Sequence, residues 1–230
     1  MNRPTIVFDL DGTLIDTAVD LLDSLNFSLG TAGLAPVSES GFRTQLGMGG
    51  RVMIERAFAA VQRTLADGEL DRLHLTFLDH YTAGIPGRSG LYPGAAAALE
   101  RFAGAGYLMA ICTNKLECNA RSLLEALGTL PSFAAISGQD TFTFRKPDPR
   151  HLIETVIRAG GNPERALMIG DSRTDIDTAK AAGIPVIAVD FGYTDRHVRE
   201  FEPSHIVSHF DEISLDLTER LMSSVRVAVG

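Results

Sequence analysis

Cysteine is scarce in this chain: Cys112 and Cys118 are the two among 230 residues. Two thiols make no disulfide framework, and one in a predicted strand and one in a predicted helix read as buried or incidental. Basic clusters are missing too. With a formal net charge of −8, the chain is a poor match for a nucleic-acid backbone, which wants a basic face. No apolar run reaches the roughly 20 residues of a membrane-spanning helix. The N-terminal residues lack the basic-then-apolar pattern of a secretory signal. Walker A, HExxH and GxSxG patterns do not occur. None of His74, His80, His151, His197, His205 and His209 shows metal-ligand spacing. These absences predict a soluble protein of the reducing cytoplasm with neither nucleic acid nor membrane as partner.

What is present is 45% hydrophobic residues, enough for one large domain or two smaller ones. Short apolar runs at 5–10, 107–113, 134–137, 167–170, 185–189 and 205–207 read as strands, several continuous enough to be buried on both faces. Between them, 94–103, 116–127, 149–159, 174–182 and 211–222 read as amphipathic helices. Gly128, Gly160 and Gly183 stand just past three of these, where a helix stops. Such βαβ alternation predicts an α/β fold with a doubly wound parallel sheet. Residues 17–88 differ: no convincing strand occurs there, and three or four helices are expected at 18–29, 39–46, 51–65 and 69–83. Residues 84–93 form a loop-rich return. The expected organisation is an α/β core of 1–16 with 89–230, and a small helical domain of 17–88 inserted after the first strand.

Polar clusters fall where predicted strands end, the position at which open parallel sheets bind ligands. Asp9-Leu10-Asp11-Gly12-Thr13 follows the apolar run Ile6-Val7-Phe8. In an extended chain, residues i and i+2 share a face, so Asp9 and Asp11 are expected in one crevice. Two close carboxylates call for a cation or a shared proton. Thr113-Asn114-Lys115 follows a second strand, Lys146-Pro147 precedes a helix, and Gly170-Asp171-Ser172 with Asp175 follows a third strand. Each has an ordinary structural reading: an Asx turn, a helix N-cap, a solvated lysine, a charged helix start. One chemistry accounts for all four together. Gly47-Met48-Gly49-Gly50 is no dinucleotide motif, because Val52 breaks it and it lies between helices. It is expected as a flexible loop facing the core site. Arg51 beside it is a candidate for reading a substrate carboxylate, or else a solvated helix-start arginine; Lys115 has the same two readings.

DLDGTLID, CTNK, FRKPDP and GDSRTDID, with a helical insertion after the first, resemble the haloacid dehalogenase superfamily of phosphohydrolases over essentially the whole chain. Phe191-Gly192-Tyr193-Thr194-Asp195 and His209-Phe210-Asp211-Glu212 make the pattern most similar to its bacterial phosphoglycolate phosphatases. The resemblance implies that Asp9 is a nucleophile forming an aspartyl phosphate. Asp11 is implied as acid and then base. Mg2+ is implied to lie on Asp9, the Asp11 carbonyl and Asp171, with Asp175 acting behind them. Gly12, Thr113, Asn114 and Lys146 are implied around the phosphoryl group. The helical insertion is implied as a cap, and a small phosphorylated metabolite, 2-phosphoglycolate first, as substrate. Attack of a carboxylate on a phosphoester needs screening of like charge, which hard oxygen ligands around magnesium supply.

Other members of the superfamily set the alternatives. Dehalogenases lack the second aspartate, present here as Asp11. Phosphonatases use a cap lysine, and residues 17–88 contain none. Sugar-phosphate mutases carry a histidine where this chain has Leu21. Phosphatases for sugar phosphates, nucleotides or pyrophosphate stay open, as does a non-catalytic binding protein on the same fold. Monomer and homodimer are both compatible with the composition.

Overall fold

The computed structural model describes residues 3–224. Six parallel strands form the central sheet: β1 (Thr5–Phe8), β4 (Leu108–Cys112), β5 (Ala135–Ser137), β6 (Ala166–Gly170), β7 (Val186–Val189) and β8 (His205–Val207). Their order is β5-β4-β1-β6-β7-β8. β1 is central, with Phe8 in register with Ile111 of β4 on one side and Ile169 of β6 on the other. The strand order reverses across β1, so a crevice opens at its carboxyl end, between the ends of β4 and β6.

The alternation of β1 divides two cores. Ile6 and Phe8 pack with Phe102, Leu123 and Leu217, from helices α5 (Ala95–Gly104), α6 (Glu117–Ala126) and α9 (Leu215–Ser224). Val7 faces Leu152 and Ile176, from α7 (Pro149–Arg158) and α8 (Arg173–Ala181). Both sheet faces are covered, which is why the strands read as unbroken apolar runs. Each fully buried Leu or Phe contributes about 1.5–3 kcal/mol.

Helices α1 (Ala18–Thr31), α2 (Glu39–Phe42), α3 (Gly50–Ala60) and α4 (Glu69–Gly84) form a separate apolar cluster. Leu21, Leu25 and Leu29 of α1 recur at helical spacing and pack with Met53 and Phe58 of α3 and Leu73 and Phe77 of α4. An antiparallel ribbon, β2 (Ile15–Asp16) with β3 (Gly90–Leu91), ties the two ends of this helical layer to the sheet. No helix among the described residues is long and apolar enough to cross a membrane.

Several elements differ from the sequence-based expectation. β1 stops at Phe8 rather than 10, because the chain turns at once: the Leu14 and Ile15 N–H groups both donate to Leu10 O. The helix expected over 39–46 is one short helical turn followed by a 3-10 stretch, Arg43–Met48; Ser40, Gly41, Thr44 and Gly47 are poor helix formers. The helix expected to reach 65 ends at Ala60. Gln62 takes a left-handed φ of 55° and the Arg63 N–H closes onto Phe58 O, a helix stop without glycine. Leu65 still packs on the cluster, which mimics continued periodicity. The last helix starts at Leu215 after a separate 3-10 turn, Phe210–Glu212. The β2–β3 ribbon fell in no expected strand, since two-residue strands paired across the whole insertion leave no local pattern.

Candidate active site

Three carboxylates converge at the carboxyl end of the sheet. Asp9 follows β1, and its N–H continues the ladder to Ile169 O at 2.9 Å. Asp171 follows β6, and Asp175 lies in the first turn of α8. All three are buried, and oxygens of the three lie within 4.8 Å of one another. Lys146, also buried, places Nζ 2.9 Å from Asp9 Oδ1 and donates to Asp175 Oδ1 at 2.6 Å. Three of these four groups are acids and one is a base, so full ionisation would leave two negative charges uncompensated in a confined volume.

The electrostatics follow from that imbalance. Burial first, then Asp175, push Asp9 up to about 6 against the pull of Lys146. Burial, with Asp175 and Asp9, raises Asp171 well above the ordinary carboxylate range. Burial works against the Lys146 ammonium, but Asp175 and Asp9 outweigh it and keep the charge. Three hard oxygen donors, a surplus of two negative charges and no sulfur or imidazole among them fit magnesium.

The local chain is shaped to bring Asp171 in. Thr13 Oγ1 donates to Asp171 Oδ1 at 2.8 Å and the Tyr193 N–H to Oδ2 at 2.7 Å. Gly12 has φ +81°, and a Cβ there would stand 2.6 Å from Asp171 Oδ2. A Cβ on Gly192 would stand 2.2 Å from Asp171 Cβ. Asp175 serves two roles: it closes a capping box with Ser172 at the start of α8, and it holds Lys146.

Asp9 and Asp11 line one cavity, as expected, but Asp11 is not among the three clustered carboxylates. The turn after Leu10 sends its carboxylate to a second lysine. Lys115 Nζ donates to Asp11 Oδ1 and Oδ2 at 2.9 and 3.1 Å, and Thr17 Oγ1 donates to Oδ1 at 2.8 Å. Lys115 is buried and stands 4.0 Å above the Tyr81 ring of α4. Burial opposes its charge, but Asp11 and the Tyr81 phenol hold it above its ordinary range. Its solvated reading is thereby replaced by a partly buried ion pair between the sheet and the helical layer.

Thr113 is buried at the end of β4, with Oγ1 accepting from the Lys115 N–H at 3.2 Å. Asn114 Nδ2 donates to Lys146 O at 3.0 Å and so braces the lysine loop. His151 braces it from the other side. Its Nδ1 accepts from the Lys146 N–H at 3.2 Å while Nε2 meets Gly138 O at 3.1 Å. Burial, aided by Lys146, pushes His151 down to about 4, so the ring is neutral with its proton on Nε2. The sequence marks His151 as a structural or surface histidine and Tyr193 as part of the resemblance segment, and gives neither a place at the site. A histidine five residues past Lys146, on the apolar face of α7, was the one local signal available.

Asp9, Asp11, Thr113, Asn114, Lys146 and Asp171 all line a cavity of about 670 Å³ between the sheet and the helical layer. Gly47–Arg51 and Phe77 form part of its opposite wall. Arg51 lines this wall but is half exposed and paired with Asp71, so it is not among the groups brought to the carboxylates.

Residues 6–189 match the family model of the haloacid dehalogenase-like hydrolases. The chain is 68% identical over 222 residues to the phosphoglycolate phosphatase of Mesorhizobium japonicum, across 96% of this chain and 98% of the relative. It is 47% identical over 220 residues to the phosphoglycolate phosphatase of Agrobacterium fabrum, across 96% and 94%. Among solved structures, a predicted phosphoglycolate phosphatase from Haemophilus somnus superposes with a TM-score of 0.86 at 30% identity, over 95% of this chain and 99% of that one. CbbY from Rhodobacter sphaeroides, solved in complex with phosphate, superposes with a TM-score of 0.79 at 25% identity, over 94% and 99%.

Proposed function

The chain belongs to the haloacid dehalogenase-like hydrolases and is a phosphoric monoester hydrolase, and from that premise we propose that it converts 2-phosphoglycolate to glycolate and phosphate, with one Mg2+ and an aspartyl phosphate on Asp9. The observation that carries the chemistry is the cage of Asp9, Asp171 and Asp175, left two charges negative beside Lys146. The substrate rests on the 68% identity to the Mesorhizobium enzyme.

Asp9 and Asp171, with the Asp11 carbonyl, would hold the ion, and Asp175 steadies Lys146 behind them. A magnesium ion there would screen the repulsion between the Asp9 carboxylate and the phosphoryl oxygens. Asp9 attacks phosphorus in line as the ester P–O bond breaks. Lys146, Thr113 and backbone amides near Gly12 and Asn114 take the charge on the phosphoryl oxygens. The Asp11 carboxylate stands outside the cage, held by Thr17 and Lys115; after taking up a proton from solvent it gives that proton to the leaving alkoxide. In the second step Asp11 takes a proton from the water that attacks phosphorus, and Asp9 leaves as carboxylate. Residues 17–88 act as a cap that excludes water and must reopen for exchange. Lys115 against Tyr81 is a contact this closure makes. Arg51, on the cap wall of the cavity, would meet the substrate carboxylate only after leaving Asp71.

The test is phosphate release across a panel of 2-phosphoglycolate, sugar phosphates, nucleotides and pyrophosphate, with magnesium and with chelator. The expected result is the highest kcat/KM for 2-phosphoglycolate and none after chelation. A higher kcat/KM for another member would replace the substrate, and full turnover after exhaustive chelation would reject the cation site.

A further inference from the structure

Tyr193, in the loop after β7, touches both sides of the site without itself lining the cavity floor. Its backbone N–H donates to Asp171 Oδ2 at 2.7 Å. Its phenol donates to Asp16 Oδ1 at 2.5 Å and accepts from the Thr17 N–H at 2.7 Å. Thr17 Oγ1 in turn donates to Asp11 Oδ1 at 2.8 Å. One residue therefore grips a carboxylate of the cage through its main chain. Through its hydroxyl and Thr17 it also sets the oxygen of the carboxylate that moves protons.

The ring is 2% exposed and belongs to the apolar cluster of the helical layer. Among the described residues it is the buried member of that cluster that comes from outside residues 17–88. Arg43 stands 5.4 Å over its face and 3.6 Å from Asp16. Packing alone would be met by phenylalanine; what the hydroxyl adds is the fixed orientation of Asp16 and Thr17. The phenol is buried and its ionisation is pushed up by that burial, so it remains a donor to Asp16 and keeps its lone pair on Thr17.

We propose that Tyr193 is a positioning residue whose hydroxyl aims Asp11 at the leaving oxygen, while its backbone alone serves Asp171. Proton delivery should then depend on the hydroxyl and cation binding should not. A phosphoester with an alkoxide leaving group needs that proton, whereas a nitrophenolate leaves without it. A merely structural role would slow both alike.

The experiment compares kcat/KM, which reports transfer to Asp9, for 2-phosphoglycolate and p-nitrophenyl phosphate in Tyr193→Phe. The expected result is a fall of about ten-fold in the alkyl-to-aryl ratio, the size of one lost hydrogen bond to a charged network. The magnesium concentration for half-maximal thermal stabilisation should stay at its wild-type value. An unchanged ratio, or a raised magnesium requirement, overturns the proposal. If Tyr193→Phe does not fold, Thr17→Val and Thr17→Ser decide: the ratio should fall in the first and return in the second, and identical ratios in both overturn it. The proposal rests on Asp11 as proton donor. Failure of that reading shows separately, as an Asp11→Asn protein with the wild-type ratio.

Discussion

Magnesium should stabilise the folded protein, and should do so more strongly at pH 8 than at pH 5. Burial and Asp175 raise Asp9 from the ordinary 3.8 to about 6, and Asp171 is raised as well. A carboxylate raised in the folded state favours folding only while protonated. Its contribution is present below the unfolded value and is lost as pH rises through the folded one. For Asp9 that is about 3 kcal/mol, lost between its ordinary 3.8 and about 6. His151, lowered to about 4, works in the opposite sense: its burial as a neutral ring costs stability as pH falls from about 6.5 toward 4, also by about 3 kcal/mol. These two nearly cancel, but the raised Asp171 adds to Asp9, so a metal-free profile mixes several groups and cannot by itself locate the ion. The magnesium increment isolates the carboxylates, because His151 contributes equally with and without the ion.

At pH 8 and a hundred-fold excess over Kd the increment is about 2.7 kcal/mol. For a chain of this size that is a rise in Tm of roughly 5–11 °C. At pH 5 the ion must displace the Asp9 proton, which weakens apparent affinity about ten-fold and leaves about 1.4 kcal/mol, or roughly 3–6 °C. The raised Asp171 can only reduce it further. Scanning calorimetry at matched ionic strength is the suitable assay, since the chain has no tryptophan. Asp171→Asn should lose most of the increment at pH 8. Equal increments at both pH values, or a full increment in Asp171→Asn, would refute the placement of the ion among these carboxylates.

Four further outcomes are expected. Asp9→Asn should fold and release no phosphate, and substantial turnover by the folded variant would sink the nucleophile. Asp11→Asn should accumulate phosphoenzyme with an activated aryl phosphate, detectable as a mass increase on the intact chain; failure to trap any would reject the two roles of Asp11. Gly12→Ala should cost about 1–2 kcal/mol in denaturant unfolding from its left-handed backbone and should also weaken magnesium binding, since the new Cβ would meet Asp171 Oδ2 at 2.6 Å. Arg51→Ala should lower kcat/KM for 2-phosphoglycolate about ten-fold more than for p-nitrophenyl phosphate, and equal losses would remove Arg51 from specificity.

By itself the sequence determined the strands of the sheet, because residues buried on both faces leave unbroken apolar runs such as Ile6-Val7-Phe8. It also determined where polar residues interrupt those runs: Asp9, Thr113 and Asp171 each follow directly on a strand. It marked the ends of α6, α7 and α8, where Gly128, Gly160 and Gly183 take the left-handed turn, and missed the end of α3, where Gln62 takes that conformation and no residue type announces it. Partnership was decided only in three dimensions. Lys146 and Asp175, 29 residues apart, become an ion pair because the β5–α7 loop and the start of α8 after β6 both lie at the carboxyl end of the same parallel sheet. Lys115, ambiguous along the chain, is settled by Asp11 beneath it and Tyr81 above, across 104 and 34 positions. Tyr193 acquires its place from contacts 22 and 177 residues away. Periodicity reports which face of an element is buried, a local property; which two charges meet depends on strand order and turn direction, and those are fixed by the packing of the whole chain.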